Sequence, residues 1–338
     1  MAMPKNAPAA GPNLVTIYGG SGFVGRYVAR RMARAGWRVR VACRNPNEAL
    51  FVKVYGNVGQ VEPVFCNVRD DASVAAVMEG ADAVVNCVGI LEEAGRNTFR
   101  AVQEEGAERI ARLAVERGIG RMVQISAIGA DPGSKSAYAR TKAAGEAAVL
   151  RHLPDAVILR PSIVFGPEDE FFNRFASMAR FGPVLPVVGA GTLFQPVYVD
   201  DVAHAAEKAL TGAAMPGIYE LGGPDVATFR ELMEQMLDVI GRRRLIGNIP
   251  FPLASAMGWG AGAASRLSFG LVPQPVTVDQ VRNLRRDNVV AGRAMTFADL
   301  GIEPMSMEAI LPGYLWRFRK GGEYAEITES AKDLREDI

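Results

Sequence analysis

Ser126, Tyr138 and Lys142 are side chains whose types and spacing could do proton chemistry together. Tyr138 and Lys142 stand four positions apart in YARTK, so on a helix they share one face. An ammonium beside a phenol favours the phenolate and lowers its pKa toward a range useful for proton transfer. A nearby serine hydroxyl can hold a carbonyl or alcohol oxygen. Alone, this spacing also fits an ordinary helix face, and it gains meaning only from the elements that position it.

Those elements begin at LVTIYGGSGFVG, residues 14–25. Leu14, Val15, Ile17 and Tyr18 form an apolar, partly β-branched run that stops at glycine, which predicts a buried parallel strand entering a tight turn. From Phe23 onward, Val24, Val28, Met32 and Ala33 recur at helical spacing while Arg26, Arg30, Arg31 and Arg34 take the other faces. Between strand and helix, Gly19, Gly22 and Gly25 would turn the chain, admit a pyrophosphate and let the helix pack on the strand. The helix N-terminus offers unpaired N–H groups and a partial positive charge to that anion. Gly19, Ser21, Gly22, Phe23, Val24 and Gly25 are therefore the expected pyrophosphate cradle. The blander reading is a strand–turn–helix with small packing residues.

Further strands follow at regular intervals. RVRVAC at 38–43 alternates and ends at Arg44. In an open parallel sheet the ligand crevice runs along the carboxyl ends of the strands, so Arg44 should lie beside the adenosine ribose. An acidic residue there would suit the 2′-hydroxyl of NAD, whereas a guanidinium suits a 2′-phosphate and predicts NADPH; a solvated arginine is the alternative. Residues 61–68 predict a third strand, placing Asn67 and Val68 near the adenine, with a helix after it. AVVNCVG at 83–89 predicts a fourth, ending at Val88 and at Gly89, where a bulky side chain would obstruct a cofactor. A helix over 99–117, strands over 121–126 and 156–160, and a helix carrying Tyr138 and Lys142 between them complete the alternation. The fold class is α/β, a doubly wound parallel sheet of Rossmann type with a smaller C-terminal lobe.

The whole chain of 338 residues, 49% hydrophobic and 22% charged, is ordinary for a soluble globular enzyme. Its net charge of +1 gives no electrostatic reason to expect nucleic acid. Cys43, Cys66 and Cys87 have no CxxC spacing and fall at predicted strand ends, as small buried residues in a reducing compartment do. His152, expected in a turn, and His204, expected in a helix, lack metal-ligand company, so no metal is assigned. Residues 1–12 carry neither a signal-peptide core nor repeated presequence arginines, and read as a flexible lead-in of a bacterial cytoplasmic protein.

GGSGFVG, Ser126, Tyr138 with Lys142, and RPSIVFGP at 160–167 together resemble the short-chain dehydrogenase/reductase superfamily in its extended or atypical branch, over at least the first 210 residues. That resemblance assigns Pro161 and Ser162 to the nicotinamide side of the cofactor, and Tyr138 and Lys142 to the ribose and the reacting oxygen. With YARTKAAGE and the run over 160–205, the chain more closely resembles the NADPH-binding accessory subunit of respiratory complex I in its bacterial form. The resemblance implies NADPH held without established turnover, and partners among complex I subunits near the junction of peripheral and membrane arms. It also implies a place on the cytoplasmic face of the bacterial inner membrane. Asn67 departs from the aspartate common there in the wider superfamily.

The expected division is a lead-in at 1–12 and a nucleotide domain over 13–165 and about 193–212. A C-terminal lobe takes about 166–192 and 213–312, and a tail or docking arm 313–338. QPVYVDD at 195–201 should return the chain to the sheet. FFNRFASMARF at 171–181 fits either packing over the cofactor or a subunit contact. Residues 249–273, with Arg266 as their only charge, fit core packing or a protein or membrane-surface contact. Their glycines, flanking prolines and central arginine argue against a spanning helix. The alternative function is a free NADP-dependent reductase or epimerase acting on a lipid, quinone precursor or sugar nucleotide. A redox-sensing regulator of this fold would not need Tyr138 and Lys142.

Overall fold

The computed structural model describes residues 13–267 and 277–322, leaving out the side chains of 261–267. The lead-in over 1–12, the tail beyond 322 and the end of the 249–273 run lie outside the described residues.

The chain opens with β1 (Leu14–Tyr18), α1 (Phe23–Arg34), β2 (Arg38–Cys43), β3 (Val61–Phe65), α2 (Asp71–Met78) and β4 (Ala83–Asn86). It continues through α3 (Glu105–Glu116), β5 (Met122–Ile125), α4 (Ala137–His152), β6 (Val157–Pro161) and β7 (Val164–Phe165). Then come α5 (Phe172–Phe181), β8 (Val184–Val188), β9 (Leu193–Phe194), β10 (Val197–Tyr198), α6 (Val199–Leu210) and β11 (Gly217–Leu221). The described chain ends with β12 (Ala227–Thr228), α7 (Phe229–Val239), β13 (Leu245–Ile249), α8 (Phe251–Leu267), α9 (Val278–Asn283), α10 (Met307–Ile310) and α11 (Pro312–Leu315).

A seven-stranded sheet of order β11-β6-β5-β4-β1-β2-β3 organises the molecule, and every pairing in it is parallel. Both faces are covered, which is why its strands read as apolar runs. Along β1, Val15 and Ile17 enter the core shared with Val28 and Met32 of α1 and with Val202 and Ala206 of α6. Tyr18 enters the opposite core with Val74, Ile110 and Val149 of α2, α3 and α4. Each fully buried large side chain contributes about 1.5–3 kcal/mol. A third core unites Phe165, Phe172, Leu185, Phe229 and Met233 with Tyr314, Leu315 and Phe318.

Five expectations change. The seventh strand is β11, paired with β6 from Gly217↔Val157 to Leu221↔Pro161, so 217–221 belongs to the large sheet and not to the smaller lobe. β10 pairs instead with β7, away from that sheet, because Val197 and Val199 pack into the core beside the sheet, a burial that in sequence looks the same as a strand within it. Residues 313–318, expected with the tail or docking arm, pack against the third core: Tyr314, Leu315 and Phe318 are buried, and the Tyr314 hydroxyl donates to the Asp169 carboxylate at 2.5 Å. The expected 99–117 helix begins with a π-helical turn over 100–104 before α3, and His152 closes α4 instead of lying in a turn.

Candidate dinucleotide site

The glycines do separate work. Gly19 has φ of 73°, a left-handed conformation that glycine adopts without strain, and its N–H donates to the Ala42 carbonyl at 2.9 Å. Gly25 lies so close under the turn that a Cβ would stand 2.3 Å from the Gly19 oxygen and 2.7 Å from the Gly20 Cα. Gly22 caps α1 without a side-chain bond, and no acidic residue occupies the first turn. Its N–H groups therefore present positive potential undiminished by a carboxylate. Phe23 and Val24 turn their side chains into packing against the first core, leaving their backbone to the cradle.

A cleft of about 200 Å³ runs from this turn across the carboxyl ends of β1 to β4. Among the expected residues it brings together Gly19, Ser21, Gly22, Arg44, Asn67, Val68, Val88 and Gly89. Sequence reasoning missed Arg69, which lines the same cleft beside Asn67 and whose N–H donates to the Asn67 amide oxygen at 3.2 Å. Arg69 lies past the end of β3 at Phe65, where sequence reasoning had no local signal for it. Also missed were Asn97 and Val102, contributed from the following loop and the π-helical turn. Cys43, Cys66 and Cys87 all line the cleft, and burial raises each thiol, to about 11 at Cys66 and about 12 at Cys87. These thiols are poor nucleophiles. The cradle that a Cβ would fill, the uncapped helix and the two arginines fit a nicotinamide dinucleotide. Among the described residues there is no cluster suited to a metal ion.

Ser126, Tyr138 and Lys142, expected to transfer a proton, stand differently. Lys142 is buried with its Nζ donating to the Ile125 carbonyl at 3.3 Å, 6.0 Å from the centre of the Tyr138 ring. A Cβ on Gly89 would lie 3.4 Å from that Nζ, so the lysine does border the cleft. Burial pulls Lys142 down to about 8, against the raising influence of Glu146 and Cys87. Tyr138 is not lowered as expected: burial pushes it up to about 12, the ammonium being turned toward a carbonyl and not the phenol. Ser126 is buried, and its hydroxyl donates to the Glu146 carboxylate. Arg160 clamps that carboxylate at 2.5 Å and reaches Glu220 at 3.5 Å. Pro161 ends β6 opposite Leu221, while the Ser162 hydroxyl bonds Asn288 at 2.7 Å. From α9, the Asp279 carboxylate accepts from the Ser136 hydroxyl at 2.7 Å and from the N–H groups of Ala137 and Tyr138 at 2.8 and 3.2 Å.

Residues 15–222 match the NAD dependent epimerase/dehydratase family, and the chain belongs to it. More particularly, it is 38% identical over 326 residues to the mitochondrial NADH dehydrogenase [ubiquinone] 1 alpha subcomplex subunit 9 of Arabidopsis thaliana, covering 94% of this chain and 81% of that protein, and belongs with such relatives. A ceramide reductase of Caulobacter vibrioides is 30% identical over 241 residues, covering 71% of this chain and 74% of its own. Among solved structures, the dTDP-glucose 4,6-dehydratase DesIV of Streptomyces venezuelae, with NAD and TYD bound, superposes with a TM-score of 0.69 at 21% identity, covering 93% and 97% of the two chains. That last likeness concerns the fold.

Proposed function

We propose that this protein is a subunit of a bacterial respiratory complex I that holds NADPH as a structural ligand, without turnover of its own. The similarity to the alpha subcomplex subunit along 94% of the chain carries the reading. Arg44 and Arg69 supply two guanidinium groups for a 2′-phosphate, and the glycine turn with the α1 N-terminus holds the pyrophosphate. The side chains that would do chemistry are engaged by the protein itself: Ser126 by Glu146, Lys142 by the Ile125 carbonyl and Ser162 by Asn288. The dinucleotide could supply a hydride, but here its role is to favour the folded form. A ligand at 100 times its dissociation constant adds about 2.7 kcal/mol.

No described helix is long and apolar enough to cross a membrane. The partners in this reading are complex I subunits near the junction of the two arms, on the cytoplasmic face of the inner membrane. α8 is a surface for that contact, since it exposes Leu253, Met257 and Trp259 while burying Ala254. Native gels of membranes lacking the protein, stained for NADH dehydrogenase activity, test the reading. Loss or instability of the assembled complex is expected, and an unchanged complex overturns it. The second reading, a free reductase, is favoured by the 30% identity to a ceramide reductase and by the retained Tyr138 and Lys142.

A further inference from the structure

One face of the smaller lobe combines unpaired cations with apolar tips that stand clear of the protein. α5 ends there in Arg180 and Phe181, the guanidinium lying 5.7 Å from its neighbour's ring centre. The turn between α7 and β13 brings Arg242, Arg243, Arg244 and Leu245 to the same place: the Arg244 Nε donates to the Ala179 carbonyl at 2.8 Å, and Leu245 pairs with Val184. The turn after α11 joins them, since the Arg242 Nε donates to the Phe318 carbonyl at 3.0 Å, two residues before the exposed Lys320. Phe181 is 83% exposed and Leu245 73%. Among the described residues, none of Arg180, Arg242, Arg243, Arg244 and Lys320 is in an ion pair. Burial and the like charges of Arg244 and Arg180 hold Arg242 below its ordinary value, consistent with cations gathered on one surface. The acidic residue nearest Arg242 in sequence is the exposed Asp238, at the end of α7, and Glu323 follows Lys320 by three positions.

We propose that this face, formed by Arg180, Phe181, Arg242, Arg243, Arg244 and Leu245, docks on an anionic phospholipid surface. Guanidinium groups meet the phosphates while Phe181 and Leu245 enter the boundary between headgroups and acyl chains, the two contributions on which surface binding depends. A phosphate-only partner would leave the two apolar tips unexplained, and an apolar partner would leave the arginines unpaired. The face is separate from the cofactor cleft and is carried by the isolated chain, so it stands or falls independently of complex I membership.

Co-sedimentation of the whole purified chain with vesicles tests it, using phosphatidylcholine alone and phosphatidylcholine with phosphatidylglycerol. Binding to the anionic vesicles alone is expected, weakening as salt is raised. Arg180→Glu with Arg243→Glu should weaken it at least about tenfold, since each cation near such a surface counts for several-fold. Phe181→Ser with Leu245→Ser should weaken what binding persists at high salt. Arg180 and Arg243 make no structural side-chain bond to other segments among those described, so melting temperature and NADPH affinity should stay unchanged. Absence of binding to anionic vesicles overturns the proposal. Binding that survives these variants but is lost in Trp259→Ser assigns the membrane to α8 and overturns it as well.

Discussion

The Ser126 hydroxyl donates to the Glu146 carboxylate across the space between β5 and α4, and Arg160 holds the other side of that carboxylate at 2.5 Å. The serine expected to orient a substrate is thus built into an ion-paired network that runs from Glu146 of α4 through Arg160 of β6 to Glu220 of β11. Removing Glu146 leaves Arg160 mostly buried, with Glu220 at 3.5 Å as its remaining acidic partner. Glu146→Ala should cost about 2–3 kcal/mol, and Ser126→Ala much less. Urea unfolding of both variants measures this, and equal costs would contradict a network centred on the ion pair.

Arg44 and Arg69 both line the cleft. Losing a charge-assisted contact to a 2′-phosphate costs about 1.5–3 kcal/mol. Calorimetry should show Arg44→Ala and Arg69→Ala each weakening NADPH while leaving NADH nearly unchanged. Equal wild-type affinity for the two cofactors would refute the assignment.

Gly25→Ala places a methyl group 2.3 Å from the Gly19 oxygen and 2.7 Å from the Gly20 Cα, both backbone atoms that cannot step aside. The turn or α1 must shift, at a cost of about 1–3 kcal/mol. Dinucleotide binding should fall below detection in a chain that still melts cooperatively. Retained affinity would show that the turn is not the cradle.

Lys142 titrates near 8 in the folded chain against 10.5 when unfolded. Its charged form is disfavoured by folding, so the penalty is complete below about pH 8 and is relieved as pH rises toward 10.5. In that window the unfolded chain binds more protons, and stability should rise by up to about 1.4 kcal/mol per pH unit. Tyr138, raised from 10.0 to about 12, acts oppositely above pH 10, where the unfolded chain loses its proton first. Wild type minus Lys142→Met, compared by chemical unfolding from pH 7.5 to 10, isolates the lysine. A flat difference would show that its ammonium is not strained.

Tyr138→Phe keeps the ring that packs edge-on against Phe99, with centroids 5.9 Å apart. Assembly and NADPH affinity should be unchanged. A carbonyl-dependent oxidation of NADPH that falls about 100-fold or more in this variant would instead establish the reductase.

The glycine turn and strand alternation were legible because they are written locally: Val15 and Ile17 against Thr16 and Tyr18, with glycine at each place the backbone is crowded. Arg44 was legible because it ends a strand. Arg69 was not, since it lies past the strand end in a loop whose return toward the cleft depends on Asn67. Neither was Ser126 beside Glu146, a pairing set by how α4 lies on β5, which the spacing within either segment does not encode. Tyr314, Leu315 and Phe318 show a different limit, because aromatics among basic residues look alike whether they anchor a core or face a partner.

Asp279 belongs to the last third of the chain, yet it closes the start of the helix that carries Tyr138, while Asn288 bonds the Ser162 hydroxyl and, at 3.4 Å, the Ile128 carbonyl. The nucleotide half is therefore not a detachable cassette. A fragment ending at residue 222, where the family match stops, would lose both residues and leave the N–H groups of Ala137 and Tyr138 without that carboxylate. Chimeras that exchange the C-terminal lobe among relatives would have to carry 277–288 with the nucleotide half to keep the Tyr138 helix anchored.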